Sequence, residues 1–241
     1  MPTRFTASHL LCAVLLAIAF HSPHASAQRI FMTPIPNEPF SGVVKIEQTL
    51  VLKDGSVTQL KSIREVARDT KGRIHNERRE LIPVSSTSTP ELRYVHLYDP
   101  QTRISTEIDV RKRTFWTMTM DHPPSTEPPS IRFAAPDGDA PPSDLTKQED
   151  LGIREIEGVP AHGMRQTQTV TDGGKEVVIT DEYWYSQELR VNVMIKHSDP
   201  REETSTLTLT QVTRTEPDPK FFEIPEGYTG PGAQAGTKKP N

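Results

Sequence analysis

The chain has 241 residues, with 28 Lys and Arg against 32 Asp and Glu, a formal net charge of −4 at pH 7, 34% hydrophobic residues and one cysteine. A near-balanced, slightly acidic charge leaves no electrostatic footprint for nucleic acid, and a single cysteine excludes a disulfide framework or a cysteine metal site. The low hydrophobic fraction implies a thin core, built from strands with one buried face and one wet face.

At the N-terminus, Arg4 precedes the apolar run "LLCAVLLAIAF" (residues 10–20), and the small-residue site "ASA" (residues 25–27) follows it. That order is a secretory signal peptide, with cleavage expected between Ala27 and Gln28 and a periplasmic or secreted mature protein. Cys12 lies inside the run. Eleven residues fall short of the about 20 a membrane helix needs, and no later stretch approaches this hydrophobicity, so no transmembrane segment is expected in the mature chain. Residues 28–41 read as an extended N-terminal segment.

From residue 42 the pattern is period two. Val44, Ile46, Leu50 and Leu52 fall on one face, with Lys45, Glu47 and Thr49 on the other, and "KDGS" (residues 53–56) supplies an Asp-Gly turn. Two strands divided by "DTKG" (residues 69–72) come next, then "LRYVHLY" and "RISTEIDV" separated by the turn "DPQT" (residues 99–102), and a strand around "RTFWTMTM" (residues 113–120). Such hairpins in series leave no room for crossover helices, so the sheet is expected to be antiparallel. Residues 121–145 hold seven prolines and almost no apolar periodicity, the composition of a long exposed loop.

Beyond it, "LGIREIEGVPAHGMRQTQTV" gives two short strands around Gly158 and Pro160, and "GGKEVVITDEYWY", "ELRVNVMIKHS" and "TSTLTLTQVTRT" give three more. In the last, Thr204, Thr206, Thr208 and Thr210 line one face and Leu207 and Leu209 the other. Val191, Val193 and Ile195 form a second apolar row, with His197 at its wet end. In "PDPKFFEIP", Asp218 caps one turn with Pro219 at its first position and Phe221 or Phe222 reaches the core. Residues 229–241 read as a disordered tail. The chain is therefore expected to be mainly β, a large curved antiparallel sheet with little helix, with residues 42–228 as a single domain.

The segments "RDTKGRIHNERRE", "YDPQTR", "LGIREIEGVPAHGMR", "WYSQELRVNVMIKHSDPREE" and "PDPKFFEIPEGY" together resemble a widespread family of uncharacterised secreted proteins common in soil bacteria such as acidobacteria. The order of a strand, "WYSQEL", a strand, a polar turn, a Thr-rich strand and a closing "FFEIPEGY" also resembles the C-terminal part of the LolA, LppX and RseB group. That resemblance implies an unclosed, LolA-like β-barrel over a hydrophobic cavity, and a lipid or lipoprotein as cargo.

Ser186, His197 and Asp199 are the residue types of a hydrolytic triad, but Ser186 lacks a nucleophile elbow and a Gly-rich oxyanion site, so they read as strand-end and turn residues. Tyr183, Trp184 and Tyr185 alternate as aromatics on a pleated surface do. His75, His96, His122, His162 and His197 are too scattered for a metal site. "GGK" (residues 173–175) is a hairpin turn and not a phosphate loop, and the charged runs "RKR" and "ERRE" read as solvated faces. No catalytic constellation and no cofactor are implied. The expected function is a non-enzymatic envelope protein that binds an apolar ligand or lipoprotein over Val44, Ile46, Leu50, Leu52, Val191, Val193 and Ile195. The alternative is an extracytoplasmic sensing or scaffold module acting by contact with another envelope protein.

Overall fold

The computed structural model describes residues 30, 32–121 and 146–230. Expected features at the Ala27–Gln28 cleavage site, at His122, through most of the Pro-rich loop and in residues 231–241 lie outside this range. Twelve strands follow in chain order: β1 (Phe40–Val51), β2 (Val57–Arg68), β3 (Ile74–Arg79), β4 (Ile82–Pro83), β5 (Leu92–Asp99), β6 (Ile104–Asp109), β7 (Thr114–Thr119), β8 (Thr146–Ile156), β9 (Val159–Asp172), β10 (Lys175–Ser186), β11 (Val191–Asp199) and β12 (Glu203–Thr213). The only helical element described is the 3₁₀ turn Pro219–Phe222. Asp218 caps it as expected, its side chain accepting a hydrogen bond from the Lys220 N–H.

The strands form one antiparallel sheet in the linear order β7-β6-β5-β3-β2-β1-β12-β11-β10-β9-β8, with β4 paired to β2 off this path. Every neighbour but one is a sequence neighbour or nearly so; the exception is β1 beside β12. The sheet is thus two hairpin meanders joined along that line, and its two ends, β7 and β8, are not paired to each other among the described residues. The turns obey local chemistry. Gly173 and Gly174 both take positive φ, 55° and 78°, as a two-residue hairpin turn that matches strand twist requires. Where two short strands were expected around Gly158 and Pro160, β8 and β9 run to 11 and 14 residues, because polar stretches such as "RQTQTVT" pair as readily as apolar ones at a sheet margin.

Ladder register defines two faces. The core face carries Phe40, Val44 and Ile46 of β1, Val66 of β2, and Leu207 and Leu209 of β12, all at or below 1% exposure. These pack with Ile30 and Met32 of the N-terminal segment, with Leu189, and with Val191, Val193 and Ile195. Arg68 fixes that segment. Completely buried, it donates to the carbonyls of Glu38 (2.8 Å), Thr33 (2.8 Å) and Leu189 (2.9 Å), and burial lowers its pKa to about 10.

On the opposite face a smaller cluster of Val95, Leu97 and Ile108 is covered by Phe115 and by Tyr228 of the C-terminal segment. Phe221 and Phe222 lie on this side too, correcting the expectation that one of them enters the main core. The Phe221 ring meets the His75 ring edge-on at 4.8 Å, and the Arg73 guanidinium sits 4.7 Å from the Phe222 ring centre. Thr229, the first residue of the expected tail, forms a parallel bridge with Thr114.

Candidate functional site

The expected ligand face is mostly interior. Val44, Ile46, Val191, Val193 and Ile195 are buried, and Leu50 is half-buried. Leu52 lies beyond the end of β1 and is 45% exposed, so it does not extend the row. Nor is the β11 row one continuous face. A register shift opposite Trp184 and Tyr185 pairs Met194 with Trp184 but Asn192 with Tyr185, so Val193 sits in a β-bulge and Val191 falls in register with Ser186.

Across the core face the register assembles two adjacent rows. Met164, Tyr183, Ile195, Leu207 and Ile46 face one another across β9, β10, β11, β12 and β1. Two residues further along each strand, Gln166, Asp181, His197, Ser205 and Gln48 do the same. An apolar row is therefore bordered by a polar one, and in the latter Gln166, Asp181, Ser205 and Gln48 are all buried.

Within the polar row, His197 Nδ1 lies 2.8 Å from Asp181 Oδ1. The hydrogen bond to Asp181 raises the His197 pKa, against the opposing effect of burial. Gln48 Nε2 donates to Glu203 Oε2 at 2.5 Å. The side-chain oxygens of Gln48 and Gln166 are buried and make no hydrogen bond.

The core face also reaches the free edge at β7. In β7, Trp116 and Met118 lie in register with Glu107 and Ser105, which continue through His96 and Tyr98 to Asn76 and Ile74 and so to Val66 and Arg68 on the core side. They are 48% and 56% exposed. In β8, Ile153 pairs with His162 and is 78% exposed, on the side away from Ile156, Val159 and Ala161, which pack in the main core. Met120, just past β7, and Leu151 of β8 both pack against the main core. Both end strands thus touch one core, and each carries exposed apolar side chains.

The opposite face carries a cross-strand charge ladder: Glu149, Arg165, Glu182 and Lys196, linked at 2.9, 3.0 and 3.6 Å. A cavity of about 320 Å³ is lined by Glu47, Gln48, Thr49, Gln59, Thr204 and Ser205, among others, and so touches two residues of the polar row. Its polar walls give it no claim on an apolar ligand.

The triad residues are not brought together. Ser186 is buried at the far end of β10, where its Oγ accepts from the Leu189 N–H at 3.3 Å, about 17 Å along the strand from the Asp181–His197 pair. Asp199 binds the Arg201 guanidinium at 2.6 Å. Each described histidine has its own partner: His75 the Phe221 carbonyl, His96 the Ser105 hydroxyl, His162 Asp150 and His197 Asp181. Among the described residues no group of three or more His, Cys, Asp or Glu could hold a metal ion, and no helix is long and apolar enough to cross a membrane.

An open, mainly β antiparallel sheet, its two end strands unpaired to each other among the described residues, is the fold class these observations define. No protein-family model matches the chain, and no curated protein matches its sequence. Among solved structures it is similar to MucB of Pseudomonas aeruginosa, determined with MucA, at 12% identity and a TM-score of 0.36 over 77% of this chain and 55% of that one. It therefore spans little more than half of the MucB chain. It is also similar to a LolA superfamily protein of Nitrosomonas europaea (12% identity, TM-score 0.31, covering 78% and 91% of the two chains) and to lipoprotein LppX of Mycobacterium tuberculosis (9%, 0.29, 73% and 88%).

Proposed function

We propose that the protein is an exported, non-enzymatic binding protein of the cell envelope that takes an apolar chain, from a lipid or a lipoprotein, onto its core face through the seam between β7 and β8. The observation that carries this reading is that Trp116 and Met118, exposed on the core-facing side of β7, and Ile153, exposed on β8, stand on the two end strands of an open sheet. Large apolar side chains exposed on the end strands of an open sheet mark a surface that something covers. The remaining core face is already packed, so a guest enters by separating the edges and not by filling a preformed void.

A second reading, a sensing or scaffold module that binds another envelope protein, is favoured by the same edge. The Phe115 N–H of β7 points outward to the Thr229 carbonyl, so Thr117 and Thr119 present their backbone groups in that direction, ready for an added strand.

Native mass spectrometry of the protein recovered from envelope extract, with and without Trp116→Asp and Met118→Asp, separates the two. Co-purified lipid lost in both variants, with unchanged melting, supports carriage. Absence of lipid throughout, with a protein retained by the native chain alone, supports the scaffold.

A further inference from the structure

The polar row beside the apolar one sets what kind of amphiphile the core face accepts. Buried polar groups are nearly always paired, and an acceptor left without a donor in the interior costs free energy that a fitting donor recovers. Here two such acceptors, Gln48 Oε1 and Gln166 Oε1, stand at the two ends of a single five-strand row. Both residues are more than nine-tenths buried. Between them the row is rich in acceptors: the Asp181 carboxylate is engaged by His197 through Oδ1, and Glu203, bonded by Gln48 through Oε2, lies directly alongside. The neighbouring apolar row of Tyr183, Ile195, Leu207 and Ile46 runs parallel to it, two residues away along every strand.

We propose that Gln166, Asp181, His197, Ser205 and Gln48 form a headgroup subsite for an amphiphile whose head donates hydrogen bonds and carries no negative charge, its tail lying along the apolar row. An anionic head places charge against the Asp181 and Glu203 carboxylates and leaves both glutamine oxygens unanswered. A hydroxylated head donates to one of them, since Gln166 and Gln48 stand about 19 Å apart across four strand spacings. This inference rests on the proposed function, since it presupposes that the core face takes a lipid at all.

The test uses the mature chain and two probes of equal tail length, monooleoylglycerol and oleate, each displacing the uncharged fluorophore Nile red. Monooleoylglycerol is expected to bind about tenfold tighter, as one added hydrogen bond to a buried, unanswered acceptor implies. Gln166→Leu, which removes an unanswered acceptor without breaking any bond, is expected to fold normally and to erase most of that preference. Gln48→Leu is expected to act in the same direction. Equal or tighter binding of oleate, or a preference unchanged in both variants, overturns the headgroup subsite and leaves apolar binding standing. Failure of both probes and of Nile red itself to bind overturns the proposed function, and the subsite with it.

Discussion

Trp184 lies flat over Gly163: a Cβ added to that glycine would meet the indole ring at 2.6 Å. The two face each other across β10 and β9, and the Arg154 guanidinium covers the other side of the ring at 3.8 Å. The glycine is thus a socket, and the aromatic ring supplies the packing that its missing side chain does not. Gly163→Ala is expected to cost about 2 kcal/mol by overpacking, and Trp184→Ala about 3 kcal/mol. Urea titration of each variant checks this. A neutral Gly163→Ala would show that the ring has room to shift.

Arg68 binds three carbonyls, two from the N-terminal segment and one from the turn before β11, a task for a planar fork of donors. Arg68→Lys is expected to lose about 3 kcal/mol, because an ammonium keeps the charge but cannot reach all three acceptors. Hydrogen exchange should show the loss first at Thr33, whose N–H is bonded to the Arg190 carbonyl. Uniform protection in the variant would contradict that assignment.

Val193 is fully buried in the main cluster. Val193→Asp places a carboxylate there without a partner and is expected to destabilise by about 4 kcal/mol. Ile153→Asp, at an exposed edge position, should leave the melting temperature nearly unchanged while reducing lipid uptake at least tenfold. A thermal melt together with a Nile red titration reads both variants.

Two histidines act oppositely on stability. Burial holds the His75 pKa below its ordinary 6.5, so the unfolded chain gains a proton that the folded one resists, and stability falls as pH drops below about 6.5. His197 is raised above 6.5, chiefly by Asp181, with Glu203 and Asp199 also facing it. Its contribution is complete below about 6.5 and is lost as pH rises through the higher folded value. Maximum stability is therefore expected near pH 6.5. Asp181→Asn should flatten the alkaline side of the profile, and His75→Gln the side just below the maximum. Chemical denaturation from pH 5 to pH 8.5 shows whether each limb follows its own residue.

Most of the sheet was legible because period two and turn chemistry are local. The strands from Phe40 to Met120 and the Thr and Leu faces of β12 follow directly from alternation. The polar row was not legible, for one physical reason. Counting outward from the Ser186–Val191 pair, Asp181 would face Lys196, and only the extra residue of the bulge near Val193 brings it to His197. A one-residue slip exchanges the faces of a strand, and nothing in "YWYSQELRVNV" announces it. The seam was hidden similarly. Trp116, Met118 and Ile153 read as ordinary strand hydrophobes until the strand order shows that β7 and β8 lie at opposite ends of the path.

Because β1 meets β12, Val44 is laddered to Leu209, most of the chain away, while nearly every other pairing joins hairpin neighbours. Closing so large a loop is entropically expensive and kinetically late. Each meander can zip up on its own, and the β1–β12 line then forms as a docking event between two prefolded halves. Cleavage between residues 121 and 146 would sever no strand pairing. The two pieces, β1–β7 and β8–β12, should reassemble when mixed, at a rate set by their concentration.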